Sequence, residues 1–281
     1  MPTRAHQTAS AAVELHIEDT GGDHDPVILI HGWPLSGESW KAQRPALCEE
    51  GYRVVTYDRR GFGRSAKPET GYDYDTLAAD LKQVIDARGL KNVTLVGFSM
   101  GGGEVARYLA NYAGEAIRAV VYAAAVPPYL YQSAYNPDGP LTQQDVDHFL
   151  NGLHTDRDRF FTDFIRMFYS VDQSLAVSQQ ECEHALTLAK QSSRAAAIAC
   201  VKAFALTDFR QDLTKVALPT LVIHGDADAA VPLAGSGART HKAIPGSRLI
   251  VIPKGPHGIN VSHAARFNQA LLDFLRSIQS H

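Results

Sequence analysis

The sequence predicts an α/β fold in which a mostly parallel sheet is flanked by helices. Two observations carry that expectation. Short, continuously apolar runs alternate with amphipathic stretches along most of the chain, as doubly buried strands and crossover helices do. One long interval, residues 127–213, breaks the alternation with turn signals and helical patterns, and so reads as a helical cap inserted into the sheet domain. With 281 residues and 45% apolar content, the chain suits a single domain, with its core over 12–126 and 214–281 and the cap between.

Each element follows from a local pattern. Val13–Glu18 reads as an early strand, and Gly21-Gly22 marks the turn after it. Val27–Ile30, Arg53–Tyr57, Thr94–Phe98, Ala119–Val126, Leu221–Ile223 and Leu249–Ile252 are apolar runs of strand length. Leu77, Leu81, Val84 and Ile85 fall on one helical stripe, and Phe267, Leu271, Phe274, Leu275 and Ile278 on another. In the cap, Pro127-Pro128 and Asn136-Pro137-Asp138-Gly139-Pro140 signal turns. Helices are expected there over Thr142–Leu153, Asp156–Tyr169, Ser178–Gln191 and Arg194–Ala205.

Composition excludes several classes of function. Formal net charge is −3, with no long run of one sign, so there is no electrostatic case for nucleic acid or a membrane surface. Cys48, Cys182 and Cys200 are odd in number and far apart, which argues against a disulfide framework or a zinc site and for reduced, packed thiols. The stretch MPTRAHQTASAA lacks the apolar centre of a secretion signal, and the longest strongly apolar run, near Ile117 to Val126, is too short to cross a bilayer. A cytoplasmic protein is expected.

Chemistry enters at Gly97-Phe98-Ser99-Met100-Gly101, a G-x-S-x-G pattern that follows a strand and opens a helix. Side chains two residues before and two after Ser99 would collide across so sharp a turn, so Gly97 and Gly101 keep it open. The turn lifts the Ser99 hydroxyl above the sheet and aims a helix N-terminus at the site, where the Met100 amide can donate to an oxyanion. This element belongs to the α/β-hydrolase fold.

Serine needs a base, and the base needs an orienting acid, in the chain order Ser, acid, His for this fold. After strand Leu221–Ile223 come His224-Gly225-Asp226-Ala227-Asp228, where Asp226 and Asp228 compete. H-G-x-x-D favours Asp228, leaving Asp226 to an Asx-type turn bond. After the last strand, Lys254-Gly255-Pro256-His257-Gly258 supplies His257 as base; His263 falls within the terminal helix pattern. His31 and His224 each precede a glycine at a strand end and are expected to bond loop backbone. His31-Gly32-Trp33-Pro34 offers the Trp33 amide as second oxyanion donor, on a loop stiffened by Pro34. Cap aromatics Phe160, Phe161, Phe164, Phe168 and Tyr169 serve chiefly as core, with some apolar face toward a substrate.

Tyr57-Asp58-Arg59-Arg60-Gly61-Phe62-Gly63-Arg64-Ser65, the run from Gly97 to Tyr108, and Lys202-Ala203-Phe204 followed by Thr207-Asp208-Phe209 add specificity. With them, the chain resembles the cofactor-free (non-haem) haloperoxidases and bacterial aryl esterases from about residue 12 to 278. The resemblance implies an eight-stranded, mostly parallel sheet with the cap after strand six. It implies a Ser99–Asp228–His257 triad and oxyanion amides at Trp33 and Met100. It implies a substrate pocket lined by Val126, Phe160, Phe164 and Ala230, with Pro34 beside it, no haem or metal, and a homo-oligomer. Small aryl or short acyl esters are the expected substrates, with perhydrolysis as a side activity. Because H-G-W-P is found in the haloperoxidases, the Trp33 carbonyl next to Pro34 is the expected acceptor for bound peroxide. Lactonase or amidase chemistry on the same triad and a non-catalytic receptor are the alternatives; dehalogenase and epoxide hydrolase, which use Asp as nucleophile, do not fit Ser99.

Overall fold

The computed structural model describes residues 12–114 and 116–279; the stretch read above for a secretion signal lies outside them except for Ala12. In chain order, the sheet domain begins with β1 (Ile17–Asp19), β2 (Pro26–Ile30), α1 (Gln43–Glu49), β3 (Arg53–Tyr57), α2 (Tyr74–Ala87), β4 (Val93–Phe98), α3 (Met100–Tyr112) and β5 (Ile117–Ala123). The cap holds α4 (Gln143–Thr155), α5 (Arg157–Phe168), a short hairpin of β6 (Ser170–Val171) and β7 (Ser174–Leu175), α6 (Gln179–Lys190) and α7 (Arg194–Leu206). The chain returns to the sheet through α8 (Arg210–Leu213), β8 (Thr220–Gly225), α9 (Gly237–Ala243), β9 (Arg248–Ile252), α10 (Ile259–Ser262) and α11 (Ala264–Gln279).

Among the described residues the main sheet has seven strands, in the order β1-β3-β2-β4-β5-β8-β9, where eight were expected. Only β1 runs antiparallel, pairing with β3. It is shorter and later than the Val13–Glu18 strand because three residues pair before Gly21 and Gly22, at φ of 70° and 93°, turn the chain into β2. The cap therefore follows the fifth strand, not the sixth. β5 and β8 are sheet neighbours, so the whole cap is one excursion between adjacent strands. β2, β4 and β8 are buried along their full length, as their unbroken apolar runs require of parallel strands. The predicted stripes of α2 and α11 face inward: Leu77, Leu81, Val84 and Ile85 are buried, as are Phe267, Leu271, Phe274 and Leu275.

Local chemistry sets the cap helices. Thr142, Asp156, Ser178 and Ser193 each accept a hydrogen bond from the backbone amide three residues on, and Asp145 completes a capping box with Thr142. The hairpin β6–β7 was not expected. Its two central residues, Asp172 and Gln173, take φ of 47° and 65°, as a two-residue hairpin requires, without the Asn-Gly or Asp-Gly signature that announces one. Cys182 and Cys200 are buried, and burial pushes the Cys200 thiol up to about 12; Cys48 is exposed on α1, contrary to the expected packing. Among the described residues no helix is long and apolar enough to cross a membrane.

Candidate active site

Ser99 sits between β4 and α3 at φ 54° and ψ −119°, a backbone conformation that side chains rarely adopt and that costs about 1–3 kcal/mol. Hydrogen bonds hold it there: its amide donates to the Ala123 carbonyl (2.8 Å), and its carbonyl accepts from Gly102 (3.0 Å) and Val126 (3.2 Å). The glycines are needed for close approach. A Cβ on Gly97 would lie 2.6 Å from the Gly101 carbonyl oxygen, and one on Gly101 would lie 2.6 Å from that of Ile30. Met100 opens α3, so its amide is one of the first four that no helix carbonyl takes up.

Ser99 is separated from His257 by 158 residues in sequence, yet its Oγ lies 2.9 Å from His257 Nε2. His257 Nδ1 donates to Asp228 Oδ2 at 2.7 Å, which leaves Nε2 free to accept from the serine hydroxyl. The other Asp228 oxygen accepts from the amides of Ala230 (3.0 Å) and Val231 (2.8 Å). This is the local turn bond expected of Asp226. Asp226 is exposed and instead accepts from the Lys254 amide at 2.6 Å, tying the loop after β8 to the loop after β9. The His257 ring is held between Phe98 and Phe168 at centroid distances of 5.2 and 4.7 Å. His263 caps α10, with Nδ1 2.9 Å from Ser262 Oγ.

Burial by itself would raise the Asp228 carboxyl. His257 beside it, with hydrogen bonds from His224 and His257, holds it down at about 2. His224 was expected to bond loop backbone, and its Nε2 donates to the Val231 carbonyl at 2.7 Å. The same nitrogen lies 3.2 Å from Asp228 Oδ2, a contact the sequence did not signal. His31 bonds loop backbone at both nitrogens: Nδ1 donates to the Gly32 carbonyl and Nε2 accepts from the Arg59 amide, each at 2.9 Å.

Trp33 divides its roles. Its indole donates to the Ala197 carbonyl on α7 at 3.2 Å and packs beneath the cap, while its backbone stays in the loop after β2, where a Cβ on the preceding Gly32 would lie 3.0 Å from the Ser99 Cβ. A cavity of about 20 Å³ adjoins Ser99 and His257. Val126, Phe164 and Ala230 line it, as does Trp33. Phe160 and Pro34 do not. Phe160 is stacked on the far side of Phe164 (16° between planes), because Gly152 has no Cβ and lets the ring lie on α4. Pro34 is buried, and the neighbouring Trp33 occupies that wall. Leu130, Leu141, Phe149, Phe204 and Val231 complete the lining. They carry no local signal; only Phe204 stood in a quoted motif, and Phe149 reaches the site because α4 packs on α5 and α7.

The comparisons with known proteins agree with this architecture. The family described as alpha/beta hydrolase fold matches residues 25–264. A bromoperoxidase from Bacillus anthracis of known crystal structure is 50% identical, with a TM-score of 0.92 over 95% of this chain and 96% of its own. A non-haem chloroperoxidase from Kitasatospora aureofaciens is 38% identical over 95% of this chain and 98% of its own length. A bifunctional esterase/perhydrolase from Acinetobacter calcoaceticus is 36% identical over 96% of this chain and 99% of its own. This chain belongs to the α/β-hydrolase family, among the non-haem haloperoxidases.

Proposed function

We propose that this protein is a serine esterase that works through an acyl-enzyme on small carboxylic esters and can pass the acyl group to hydrogen peroxide as well as to water. The observation that carries the reading is the unbroken hydrogen-bond chain from Ser99 through His257 to Asp228. Ser99 Oγ attacks the ester carbonyl while His257 Nε2 takes its proton. Asp228, held ionised, balances the imidazolium. The carbonyl oxygen becomes an oxyanion that the amides of Trp33 and Met100 stabilise, each such donor contributing about 3 kcal/mol to lowering the barrier. Collapse breaks the bond to the alcohol, which leaves with the proton from His257. Water, activated in turn by His257, then attacks the acyl-enzyme and releases the acid.

Hydrogen peroxide in place of that water releases a peracid and restores the Ser99 hydroxyl. The peracid then delivers an oxygen atom to halide away from the enzyme and reverts to the carboxylic acid. The name of the esterase/perhydrolase relative supports this second fate, as does H-G-W-P at residues 31–34. A cavity of about 20 Å³ beside Ser99 has room for a molecule the size of water or peroxide.

One panel tests the reading: p-nitrophenyl esters and lactones, with and without peroxide, for the wild type, Ser99→Ala and Pro34→Leu. Ser99→Ala should lose about 10⁴-fold or more of kcat; retained activity would overturn the mechanism. Pro34→Leu should lower the ratio of perhydrolysis to hydrolysis, and an unchanged ratio would remove Pro34 from the account. Turnover confined to lactones would replace the ester assignment.

A further inference from the structure

At about 20 Å³ the cavity beside Ser99 holds a molecule the size of water, so an ester enters only when a wall yields. Two of its lining residues, Leu130 and Leu141, come from one loop, residues 129–141, which carries the turn Asn136-Pro137-Asp138-Gly139-Pro140. The loop closes on itself: the Leu141 amide donates to the Leu130 carbonyl at 2.9 Å and the Gln132 amide to the Leu141 carbonyl at 2.7 Å. Gln132, Ala134, Tyr135, Pro137 and Asp138 are exposed on its outer side. A segment with so little buried apolar surface and no helix or strand of its own is the wall that moves at least cost.

Its anchor in the sheet domain is Arg239 on α9. Arg239 Nη2 donates to Asn136 Oδ1 at 2.6 Å, and Nη1 to the carbonyls of Tyr129, Asp138 and Gly235 at 3.3, 3.4 and 3.3 Å. Arg210 on α8 holds only the tip, through the Tyr135 carbonyl at 2.8 Å. Asn136 is buried and carries the grip inward. Its Nδ2 donates to the carbonyls of Tyr129 (3.0 Å) and Tyr131 (2.7 Å), the two residues that flank Leu130. Gly139 leaves room for that amide, since a Cβ there would lie 2.5 Å from Asn136 Nδ2. Pro140, next to Leu141, packs against Gly235, where a Cβ would lie 2.8 Å from its Cγ. Both leucines are thus fixed from α9 and the turn before it.

We propose that Arg239 is a positioning residue that sets the size of ester admitted to Ser99, because through Asn136 it fixes the wall made by Leu130 and Leu141. The proposal rests on the esterase reading and extends it to a residue outside the cavity. Without the guanidinium fork the wall recedes, so bulky esters gain and the smallest ester loses closeness of fit. Ser99, His257 and Asp228 keep their own hydrogen bonds, so the change falls on KM more than on kcat.

The test compares kcat/KM for p-nitrophenyl acetate with that for p-nitrophenyl pivalate, bulky in the acyl half, and naphthyl acetate, bulky in the alcohol half. The proteins are the wild type, Arg239→Met, Asn136→Ala and the double variant. Arg239→Met should raise the bulky-to-small ratio by about tenfold for at least one of the two bulky esters. Added to Asn136→Ala, it should change the ratio little further. Unmoved ratios, or fully additive effects, would overturn the proposal. Amide hydrogen exchange gives a readout independent of turnover: Gln132 and Leu141 should lose protection in Arg239→Met while β4 and β8 keep theirs. Loss of protection throughout the sheet would make Arg239 a general stabiliser and overturn its positioning role. Arg239→Lys keeps the charge but not the fork. It should move the ratio in the same direction by less, and it carries the test if Arg239→Met does not fold. A wild type inactive on every ester sinks the esterase reading; an active wild type with an unmoved ratio sinks only the role of Arg239.

Discussion

At the scale of single residues, Asp228 shows how a buried charge is kept. Its carboxyl takes two backbone amides on one oxygen and the His257 Nδ1–H on the other, with His224 close by. His224 Nδ1 is buried with no partner among the described residues, so the neutral Nε2–H tautomer fits best: it leaves an empty acceptor and no buried donor. A carboxyl depressed on folding adds stability above its unfolded value, and that contribution disappears as the pH falls through the folded value. For Asp228 the window runs from 3.8 down to about 2. His224→Phe removes one donor from this carboxyl and the shorter of the two hydrogen bonds to the Val231 carbonyl, leaving only that from Ser236 Oγ at 3.4 Å. We expect its unfolding free energy at neutral pH to drop by about 1–3 kcal/mol. The difference from wild type should narrow as the pH descends through that window. Urea titrations at neutral pH and at the most acidic pH the fold tolerates measure both effects; a difference independent of pH would mean that His224 acts through Val231 alone.

At the scale of elements, one buried network ties the end of β3 and the loop after it to the loop that carries Trp33 and to the helix that begins at Met100. Glu104 on α3 accepts from Tyr57 at the end of β3 (2.6 Å) and from the Arg59 guanidinium just beyond it. Arg59 also donates to the His31 carbonyl at 2.7 Å, and its amide to the His31 ring, so the loop carrying Trp33 is tied to the helix that begins at Met100. Both ions are fully buried. Removing one partner strands the other charge, whereas replacing both with apolar groups need not destabilise the fold. Glu104→Ala should therefore lower the unfolding free energy by about 3–5 kcal/mol, and Glu104→Leu combined with Arg59→Met should recover most of it. Denaturant unfolding of the two variants decides; a cost below about 1 kcal/mol for Glu104→Ala would put the coupling elsewhere.

At the scale of the whole molecule, two tryptophans report on the two layers. Trp40 packs against Phe98 and Phe267 in the sheet domain, and Trp33 packs against Phe149, Phe164 and Phe204 of the cap. The reading of residues 12–126 and 214–281 as a core with an inserted cap, all one domain, makes a definite claim. Tryptophan fluorescence and far-UV circular dichroism should follow one urea transition. A fluorescence change that precedes the loss of secondary structure would mean that the cap melts on its own.

Much of this architecture is written in short stretches of chain. Thr142, Asp156 and Ser178 begin the cap helices where their side chains can cap them. Gly97 and Gly101 flank a turn that admits no Cβ, and the buried strands are continuous apolar runs. These features depend on bonds and clashes within a few residues, so the sequence by itself determined them, along with the order Ser99, Asp228, His257 along the chain. Other features depend on contacts between distant segments. The H-G-x-x-D pattern favoured Asp228 as the partner of His257, but only the tertiary structure decided that Asp226 faces Lys254 and that His224 joins the carboxylate. It also decided that Phe164 reaches the cavity while Phe160, four residues before it, lies behind, and that Phe149 closes the wall. Helical spacing says which residues share a face, but packing of α4, α5 and α7 over Trp33 determines which of those faces a substrate meets.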